Sequence, residues 1–221
     1  MTYSIAGRCA RTGMFGLVVT TSSIAVGSRC AFAKAGVGAA LTQHRTDPRL
    51  GPLALELLER GFTAQQAMDA VVAATPHRHW RQLAIIDRIG GTAAYSGANV
   101  KVERDEVHGK DCVALGNIVR SVEVPRAMVR AFEADLAAPL ASRLIAALKA
   151  GEEAGSEFVP LVSASLLVVH IESFPYVDLR VDRDPDPIGR LASLWDEYAP
   201  MADSYVERAV RPEEFVLPPA H

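Results

Sequence analysis

Segments typical of strands and of helices come in separate groups along this chain, and that order restricts the fold more than any single motif does. The predicted strands are 2–7, 14–21, 36–43, 82–87, 92–96, 112–115, 163–171 and 176–181. The predicted helices are 52–60, 63–75, 125–135, 139–150 and one that starts at 187. Segregated runs of this kind indicate an α+β layered domain and not a series of alternating βαβ units.

Capping residues mark where several of these elements begin. Thr63 with Gln66 three residues later forms a capping box, and Asp186 before Pro187 supplies an N-cap and a first-turn proline. The segment 36–43 reads GVGAALTQ, and its glycines predict a buried strand that packs closely against its neighbours.

Length and composition exclude several functional classes. At 221 residues the chain is long enough for one well-buried domain, which we place at 1–210, followed by a loose tail at 211–221. A net charge of −3 without a basic run offers no surface for nucleic acid or for an anionic membrane. No apolar run approaches the roughly 18–20 residues that cross a bilayer.

The amino terminus and the cysteines point to the cytoplasm. The first residues lack the basic and apolar regions of a secretory signal. Cys9, Cys30 and Cys112 are odd in number and widely separated, which favours small buried residues over disulfides or a zinc motif.

Thr2 is the first candidate catalytic residue, because it follows Met1 directly and begins the first predicted strand. In that strand Thr2 and Ser4 point to one face, and Tyr3 and Ile5 point to the other. Removal of Met1 would leave a free α-amine beside the Thr2 hydroxyl, and an amine with an ordinary pKa of about 8 can take the hydroxyl proton. Many cytosolic proteins begin Met-Thr without such a role, so both interpretations stay open on these residues alone.

Lys34 is the second catalytic candidate. It lies in CAFAKAG among small apolar residues, where partial desolvation would lower the pKa of its ammonium group. Beside Thr2 it would favour the alkoxide and the neutral amine. The competing interpretation is a lysine at a strand edge that keeps its charge in water.

Two strand ends carry candidate substrate-binding residues. The run TTSS at 20–23 offers the hydroxyls of Ser22 and Ser23 to a polar substrate, although such residues more often cap turns. At the end of the third strand, the Gln43 amide could hold a carbonyl or carboxylate group. His44, which follows it, could act as a general base or be an ordinary surface histidine.

An anionic substrate and a developing oxyanion have candidate partners as well. Arg45 and Arg49 follow the third strand and could bind an acid group. Asn117 follows Gly116 at the end of another strand, where its amide could donate to an oxyanion. Otherwise Asn117 only supports a tight turn.

A metal site is the least favoured alternative, and the sequence predicts none. His77 and His79 can share one face of a strand, but no third ligand has a diagnostic spacing from them. A metal hydrolase would have to combine these histidines with His44 or Asp47. The carboxylates of 182–187 are explained by helix capping.

Several segments taken together resemble a known family. They are MTYSIAGR, TSSIAVGSRCAFAKAGVGA, TQHRTDPRLGPLALELL, RQLAIID, YSG, ALGNIV, SASLLVV and DLRVDRDPDPI. In this order and spacing they resemble an uncharacterised bacterial family that is assigned to the N-terminal nucleophile (Ntn) hydrolase fold. The resemblance runs from Met1 to about Leu194.

This resemblance implies a four-layer αββα sandwich, in which two antiparallel sheets lie between helical layers. In active Ntn hydrolases an N-terminal Thr, Ser or Cys attacks an amide carbonyl, and that pattern corresponds to Thr2 here. Proteasome-like members keep a lysine about thirty residues further on, which Lys34 matches by spacing. An asparagine often contributes to the oxyanion hole, and Asn117 is the candidate. The fold also often forms homo-oligomers.

The chain departs from the proteasome-like pattern at one position. Those members carry an aspartate on the second strand, whereas 17–20 reads LVVT and contains no acid. Two main hypotheses follow. The first is a cofactor-free amidohydrolase that cleaves a C–N bond of a small amide, lactam or ureido compound through Thr2. The second is a catalytically silent protein with the same fold that binds a small molecule or serves as a scaffold.

Overall fold

The computed structural model describes residues 1–101 and 103–213. Its strands are Thr2–Arg8 (β1), Phe15–Thr21 (β2), Ala31–Lys34 (β3), Gly38–His44 (β4), Arg81–Asp87 (β5), Thr92–Ser96 (β6), Arg104–Gly109 (β7), Cys112–Asn117 (β8), Ser163–Val169 (β9) and Val177–Val181 (β10). Its helices are Gly27–Cys30 (α1), Leu50–Glu59 (α2), Ala64–Ala74 (α3), Glu123–Glu133 (α4), Leu140–Glu153 (α5), Pro187–Tyr198 (α6) and Ala202–Val210 (α7).

The strands form two antiparallel sheets. The first sheet has the order β10-β9-β2-β1-β8-β7, so the amino-terminal strand lies at its centre. The second sheet has the order β3-β4-β5-β6. Because β1 lies at the centre of the sheet, its backbone is hydrogen-bonded to a neighbouring strand on both sides. This pairing holds the start of the chain in place.

Three hydrophobic clusters show how the layers are stacked. One lies between the first sheet and helices α4, α5 and α6, and a second lies between the second sheet and helices α2 and α3. A third joins the inner faces of the two sheets. The order of layers is therefore helix, sheet, sheet, helix, and the predicted four-layer αββα fold is confirmed.

Side chains of β1 alternate between two of these clusters. Tyr3 and Ile5 pack toward the helices, whereas Ala6 packs between the sheets and the Ser4 hydroxyl reaches Gln43 on β4. Thr2 has the same parity as Ser4 and Ala6, so its side chain belongs to the space between the sheets. The alternation predicted for this strand is confirmed.

Close packing of β4 depends on Gly38. The residue has a φ of +154°, and a Cβ atom built there would lie 2.2 Å from the carbonyl oxygen of Ile86 on the adjacent strand. Only glycine fits this approach, which explains why the segment is rich in glycine. The three cysteines are buried and unpaired, as predicted.

Some elements differ from the sequence prediction. Strands β3 and β7 and helices α1 and α7 were not predicted, because they are short or carry charged residues without a clear apolar period. The predicted tail at 211–221 lies outside the described residues from 214 onward. The assignment of 1–210 to one domain stays a prediction.

The capping box of α3 is present and permits a stability prediction. The Thr63 hydroxyl accepts from the Gln66 backbone N–H, and the Gln66 side-chain oxygen accepts from the Thr63 N–H at 3.0 Å. We expect Thr63→Ala to lower the free energy of unfolding by about 1 kcal/mol, measured by urea denaturation. Gln65→Ala in the same turn is the control, with an expected change of less than about 0.5 kcal/mol. Equal effects of the two changes would contradict the role of the cap.

Candidate active site

Thr2 lies at the end of β1 where three strands bring hydroxyl and amide groups together. Across one side of β1 it is opposite Asn117 of β8, and across the other side Tyr3 pairs with Thr20, which brings Thr2 beside Thr21. The two hydroxyl oxygens, Oγ1 of Thr2 and Oγ1 of Thr21, are 3.4 Å apart. The sheet register therefore holds both side chains next to the amino terminus.

The carbonyl group of Met1 occupies the space between these two hydroxyls. Thr21 donates a hydrogen bond from Oγ1 to this carbonyl oxygen at 2.6 Å, and Oγ1 of Thr2 also contacts it closely. The same carbonyl oxygen is thus in contact with both hydroxyl groups. With Met1 present, Thr2 is only 6 % exposed.

Glu157 is a buried acid at the same end of the sheet. Its Oε2 accepts from the Ser22 backbone N–H at 3.0 Å, and its Oε1 is buried without a hydrogen-bond partner among the residues that the structure describes. Burial raises the pKa of Glu157 from an ordinary value of 4.5 to about 7, although the Ser22 hydrogen bond and the charge of the amino terminus act in the opposite direction.

The amino terminus has a shifted pKa as well. Burial lowers the pKa of the Met1 amine, and the nearby charge of Lys101 acts in the same direction, whereas Glu157 opposes it. A larger fraction of this amine is therefore neutral near pH 7 than for an exposed amino terminus. Neutral amines are the ones that can accept a proton.

His44 lies on the same side of the site and keeps one ring nitrogen free to act as a base. Its Nδ1 is 3.0 Å from the carbonyl oxygen of Trp80, and because a carbonyl only accepts, Nδ1 carries the hydrogen and Nε2 keeps its lone pair. Burial, assisted by the charges of the amino terminus and Arg45, lowers the pKa of His44. The ring is therefore neutral around pH 7.

Arg45 is an exposed cation of this region. Its guanidinium lies over the Trp80 ring, 4.0 Å from the centroid, and it forms no ion pair with any described residue. Arg49, which was predicted together with Arg45 to bind an acid group, donates from Nε and Nη2 to both carboxylate oxygens of Asp47 at 2.9 and 2.8 Å. Its charge is thereby neutralised.

Gln43 and Asn117 belong to a polar network inside the sandwich. Ser4 donates to Gln43, Gln43 donates from Nε2 to Oε1 of Gln82 at 2.6 Å, and Asn117 donates from Nδ2 to the same oxygen at 3.0 Å. The side chains of Gln43, Gln82 and Asn117 are fully buried. Gln43 is therefore a structural residue in this conformation, and the Asn117 amide is directed to Gln82.

Lys34 does not lie beside Thr2. It is half-exposed and forms an ion pair of 2.6 Å with Glu59. It also lines a cavity with Val169, which pairs with Phe15 at the far end of β2 from Thr21. Six residues of strand at about 3.3 Å each place this end about 20 Å from Thr2.

The reason for this difference is a short helix. Helix α1, Gly27–Cys30, takes up the residues before β3, so that β3 starts near the amino terminus and carries Lys34 away from it. Burial raises the pKa of the Cys30 thiol, and the charge of the nearby amino terminus acts in the opposite direction. Counting residues between Thr2 and Lys34 could not show this turn.

The two predicted serines have different surroundings. Ser22 is partly exposed and contributes its backbone N–H to Glu157, so it belongs to the site. Ser23 is exposed, and its Oγ accepts from Nη2 of Arg29 at 2.6 Å, which is a loop contact of the kind that serines in turns commonly make.

The residues considered for a metal site do not form one. His77 and His79 are exposed, and the carboxylate of Asp47 is held by Arg49 and Arg81. Within residues 1–101 and 103–213 there is no group of three or more His, Cys, Asp or Glu side chains that could hold a metal ion.

In the same part of the chain, every helix is too short or too polar to cross a membrane.

Sequence reasoning missed two residues of this site. Glu157 comes near the amino terminus only because β2 pairs with β9 and Val119 forms an isolated bridge with Glu157. Thr21 was noticed as part of a hydroxyl-rich run, but its contact with Thr2 depends on the β1–β2 register. No local pattern around Glu157 indicates its role, whereas the hairpin register could have indicated Thr21.

Three cavities lie at the two ends of the sandwich, and Thr2 lines none of the three. One of about 540 Å³ is lined by Leu161 and Val162, close to the end of β2, and two others of about 270 and 360 Å³ share Cys9 and Arg11 at the opposite end of the sandwich. With Met1 in place, the space next to Thr2 is filled by the Met1 backbone.

Comparison with known proteins identifies the family. The protein-family model described as "Family of unknown function (DUF1028)" matches residues 2–191 of this chain. The crystal structure of protein SPO2555 from Silicibacter pomeroyi, also described as DUF1028, is 32 % identical and covers 90 % of this chain and 89 % of its own, with a TM-score of 0.83. No curated protein matches the chain.

Two Anbu structures are more distant. Anbu (ancestral beta-subunit) from Yersinia bercovieri is 11 % identical with a TM-score of 0.39, and covers 99 % of both chains. Anbu from Hyphomicrobium sp. strain MC1 is 13 % identical with a TM-score of 0.37, and covers 93 % of this chain and 98 % of its own. Likenesses at these scores support no conclusion about this protein. The family match and the SPO2555 structure confirm the resemblance found in the sequence, and the chain belongs to the DUF1028 family.

Proposed function

We propose that this protein hydrolyses a C–N bond of a small amide, lactam or ureido compound, with Thr2 as the nucleophile once Met1 has been removed. One observation carries the proposal. The carbonyl group of Met1 lies against the Thr2 hydroxyl and accepts a 2.6 Å hydrogen bond from Thr21. A substrate carbonyl whose oxygen takes this place would accept a hydrogen bond from Thr21 and lie within reach of the Thr2 hydroxyl.

The reaction needs only groups that the chain supplies. The Thr2 oxygen attacks the carbonyl carbon while the Thr2 amine takes the hydroxyl proton, and Thr21 donates to the oxygen on which negative charge develops. The amine then gives the proton to the leaving nitrogen, and the C–N bond breaks to leave an ester on Thr2. Water, deprotonated by the same amine, hydrolyses the ester and restores the hydroxyl.

The surroundings of the amine support its part as the base. The Met1 amine is partly buried and has a lowered pKa, and the Thr2 amine that replaces it lies one residue further inside the same surroundings. The charge of Glu157 opposes the effect of burial on the pKa of the amino terminus. In this proposal Glu157 positions the amine, and its charge acts on the amine pKa in the opposite direction to the part that the sequence assigned to Lys34.

The cations around the site favour a substrate with an acid group. Arg45 and Lys101 are exposed, and Arg45 is held in place by the Trp80 ring. A carboxylate on the substrate would pair with one of them at the rim while its amide carbon reaches Thr2. In this proposal Arg45 binds the acid group of the substrate, whereas the sequence predicted that Arg45 and Arg49 could both do so.

Covalent trapping with a β-lactone tests the proposal. Ring opening by the Thr2 oxygen adds the whole mass of the lactone to the protein, and peptide mass spectrometry locates it. We expect an adduct on the amino-terminal peptide of protein that lacks Met1, and none in the fraction that retains Met1. Ser23→Ala, which removes an exposed hydroxyl of the neighbouring loop, should be labelled like the wild type. Labelling elsewhere, or none without Met1, would contradict the mechanism.

A second candidate function is a catalytically silent binding or scaffold protein, and two observations favour it. Lys34 pairs with Glu59 at a distance from Thr2, and the Asn117 amide donates to Gln82 inside the sandwich. A silent protein would bind its ligand near His44 and Arg45 without forming an ester. The trapping experiment separates the two functions, because only the hydrolase gives an adduct on Thr2.

A further inference from the structure

A charged cavity lies at the opposite end of β1 from Thr2. It has a volume of about 270 Å³, and its walls include four basic side chains, Arg8, Arg11, Lys110 and Arg143, with a single acidic one, Asp111. The whole chain has a net charge of −3, so the positive charge of this cavity is opposite in sign to the net charge of the protein. Because β1 has seven residues, about 20 Å of strand separates this cavity from Thr2.

Arg143 is the most unusual residue of this cavity. It lies on α5 and is only 4 % exposed. Its Nε donates to the carbonyl oxygen of Phe132 at 3.0 Å, and its guanidinium lies 3.9 Å from the centre of the Phe132 ring. Among the described residues it forms no ion pair, and neither of its terminal nitrogens has a hydrogen-bond partner.

An unpaired buried guanidinium is energetically unfavourable. Burial lowers the pKa of Arg143, yet an arginine side chain keeps its proton in proteins, so the charge remains. Buried charges are normally paired with an opposite charge. Two terminal nitrogens without acceptors, at the wall of an open cavity, leave room for a partner that is not part of this chain.

Arg8 adds a second set of unused donors to the same cavity. Its Nη1 donates to Oδ1 of Asp111 at 2.8 Å, which neutralises part of the charge. Its Nε, however, is buried and has no partner in the described part of the chain. Arg11 uses Nη2 on the carbonyl oxygen of Ala137 at the rim.

Two other acids near the cavity accept hydrogen bonds from backbone N–H groups and not from Arg143. Glu133 accepts from the backbone N–H of Lys110 at 2.6 Å, and Asp135 accepts from the backbone N–H of Ala137 at 2.9 Å. Neither forms an ion pair with Arg143. The terminal nitrogens of Arg143 are therefore left for an anion that is not part of the described chain.

We propose that this cavity binds a small molecule through a phosphate or carboxylate group, with Arg143 as the main ligand of the anion and Arg8 and Lys110 as its neighbours. The planar fork of a guanidinium matches two oxygens of either group. The volume of about 270 Å³ admits a small metabolite but not a polymer. The proposal does not depend on Thr2 or on hydrolysis.

Calorimetric and thermal titrations of the full chain test this site. Inorganic phosphate and acetate are titrated separately, each against sodium chloride of matched ionic strength. We expect the wild type to bind at least one of the two saturably and to melt at a higher temperature with it. Saturation by phosphate assigns a phosphate ligand, and saturation by acetate assigns a carboxylate ligand. No response beyond that to chloride overturns the proposal.

Two variants assign the binding to Arg143. Arg143→Met keeps an apolar chain on the Phe132 ring but removes the charge, and we expect the dissociation constant to rise at least tenfold. Arg143→Lys keeps the positive charge and is the alternative if the Met variant does not fold. It should weaken binding at least fivefold, because the lysine ammonium lacks the planar pair of donors of the guanidinium. Arg190→Gln on α6 is the control and should bind like the wild type. Unchanged affinity in a folded Arg143 variant would overturn the assignment.

Discussion

Replacement of Thr2 by alanine is expected to abolish turnover of any amide, lactam or ureido substrate of this protein. The hydroxyl oxygen forms the ester intermediate, so its loss should lower kcat/KM on the order of 10³-fold or more. Thr2→Ser keeps an oxygen in the same position and should stay within roughly tenfold of the wild type. The measurement is the initial rate of substrate loss across a panel of small amides, with protein whose amino terminus has been determined by intact mass.

The state of the amino terminus provides the internal control for this prediction. Met1 ties up the Thr2 nitrogen in a peptide bond, and an amide nitrogen is not a base. A variant with glutamate inserted between Met1 and Thr2 should therefore be as inactive as Thr2→Ala while its fold is unchanged. Full turnover by either protein would exclude Thr2 as the nucleophile.

Replacement of Glu157 by glutamine is expected to change how stability depends on pH. The pKa of Glu157 is raised in the folded protein from 4.5 to about 7 by burial. A raised carboxyl pKa stabilises the fold fully below pH 4.5, and this contribution is lost as the pH rises through about 7. The shift corresponds to about 3 kcal/mol at 1.36 kcal/mol per pH unit.

The wild type should therefore lose about 3 kcal/mol of unfolding free energy from this group between pH 4 and pH 8, whereas Glu157→Gln should not. The difference between variant and wild type is measured by urea denaturation at both pH values, and it should favour the variant at pH 8. Glu153→Gln, an exposed position on α5, is the matched control. A pH-independent difference between Glu157→Gln and the wild type would show that the buried carboxyl does not titrate as expected.

Much of the fold was predictable because its signals are local. The alternation of Tyr3 and Ile5 against Ser4 in β1 and the capping box of α3 depend only on residues a few positions apart. Edge strand β7 gave no such signal, since its charged side chains do not need a buried face. The predicted homo-oligomer and cytoplasmic location stay predictions.

The candidate site was predictable in part. Thr2, Ser22 and His44 were all named from the sequence and lie near the amino terminus, although Ser22 contributes its backbone N–H and not the predicted hydroxyl. Their roles stay predictions. Gln43 and Asn117 were placed in the right region, but their amides are used within the network around Gln82. A list of polar residues at strand ends does not show which of them face one another across two sheets.

The sequence by itself determined the family, the order of the layers and the hydroxyl residue behind the initiator methionine. Only the tertiary structure decided that Glu157, 135 residues along the chain from Ser22, lies at the amino terminus, and that Lys34 lies at the opposite end. The physical reason is that strand pairing between distant segments and the turn of a four-residue helix set these positions. Neither the long-range strand pairing nor the short helix produces a periodic sequence pattern in the residues that come together.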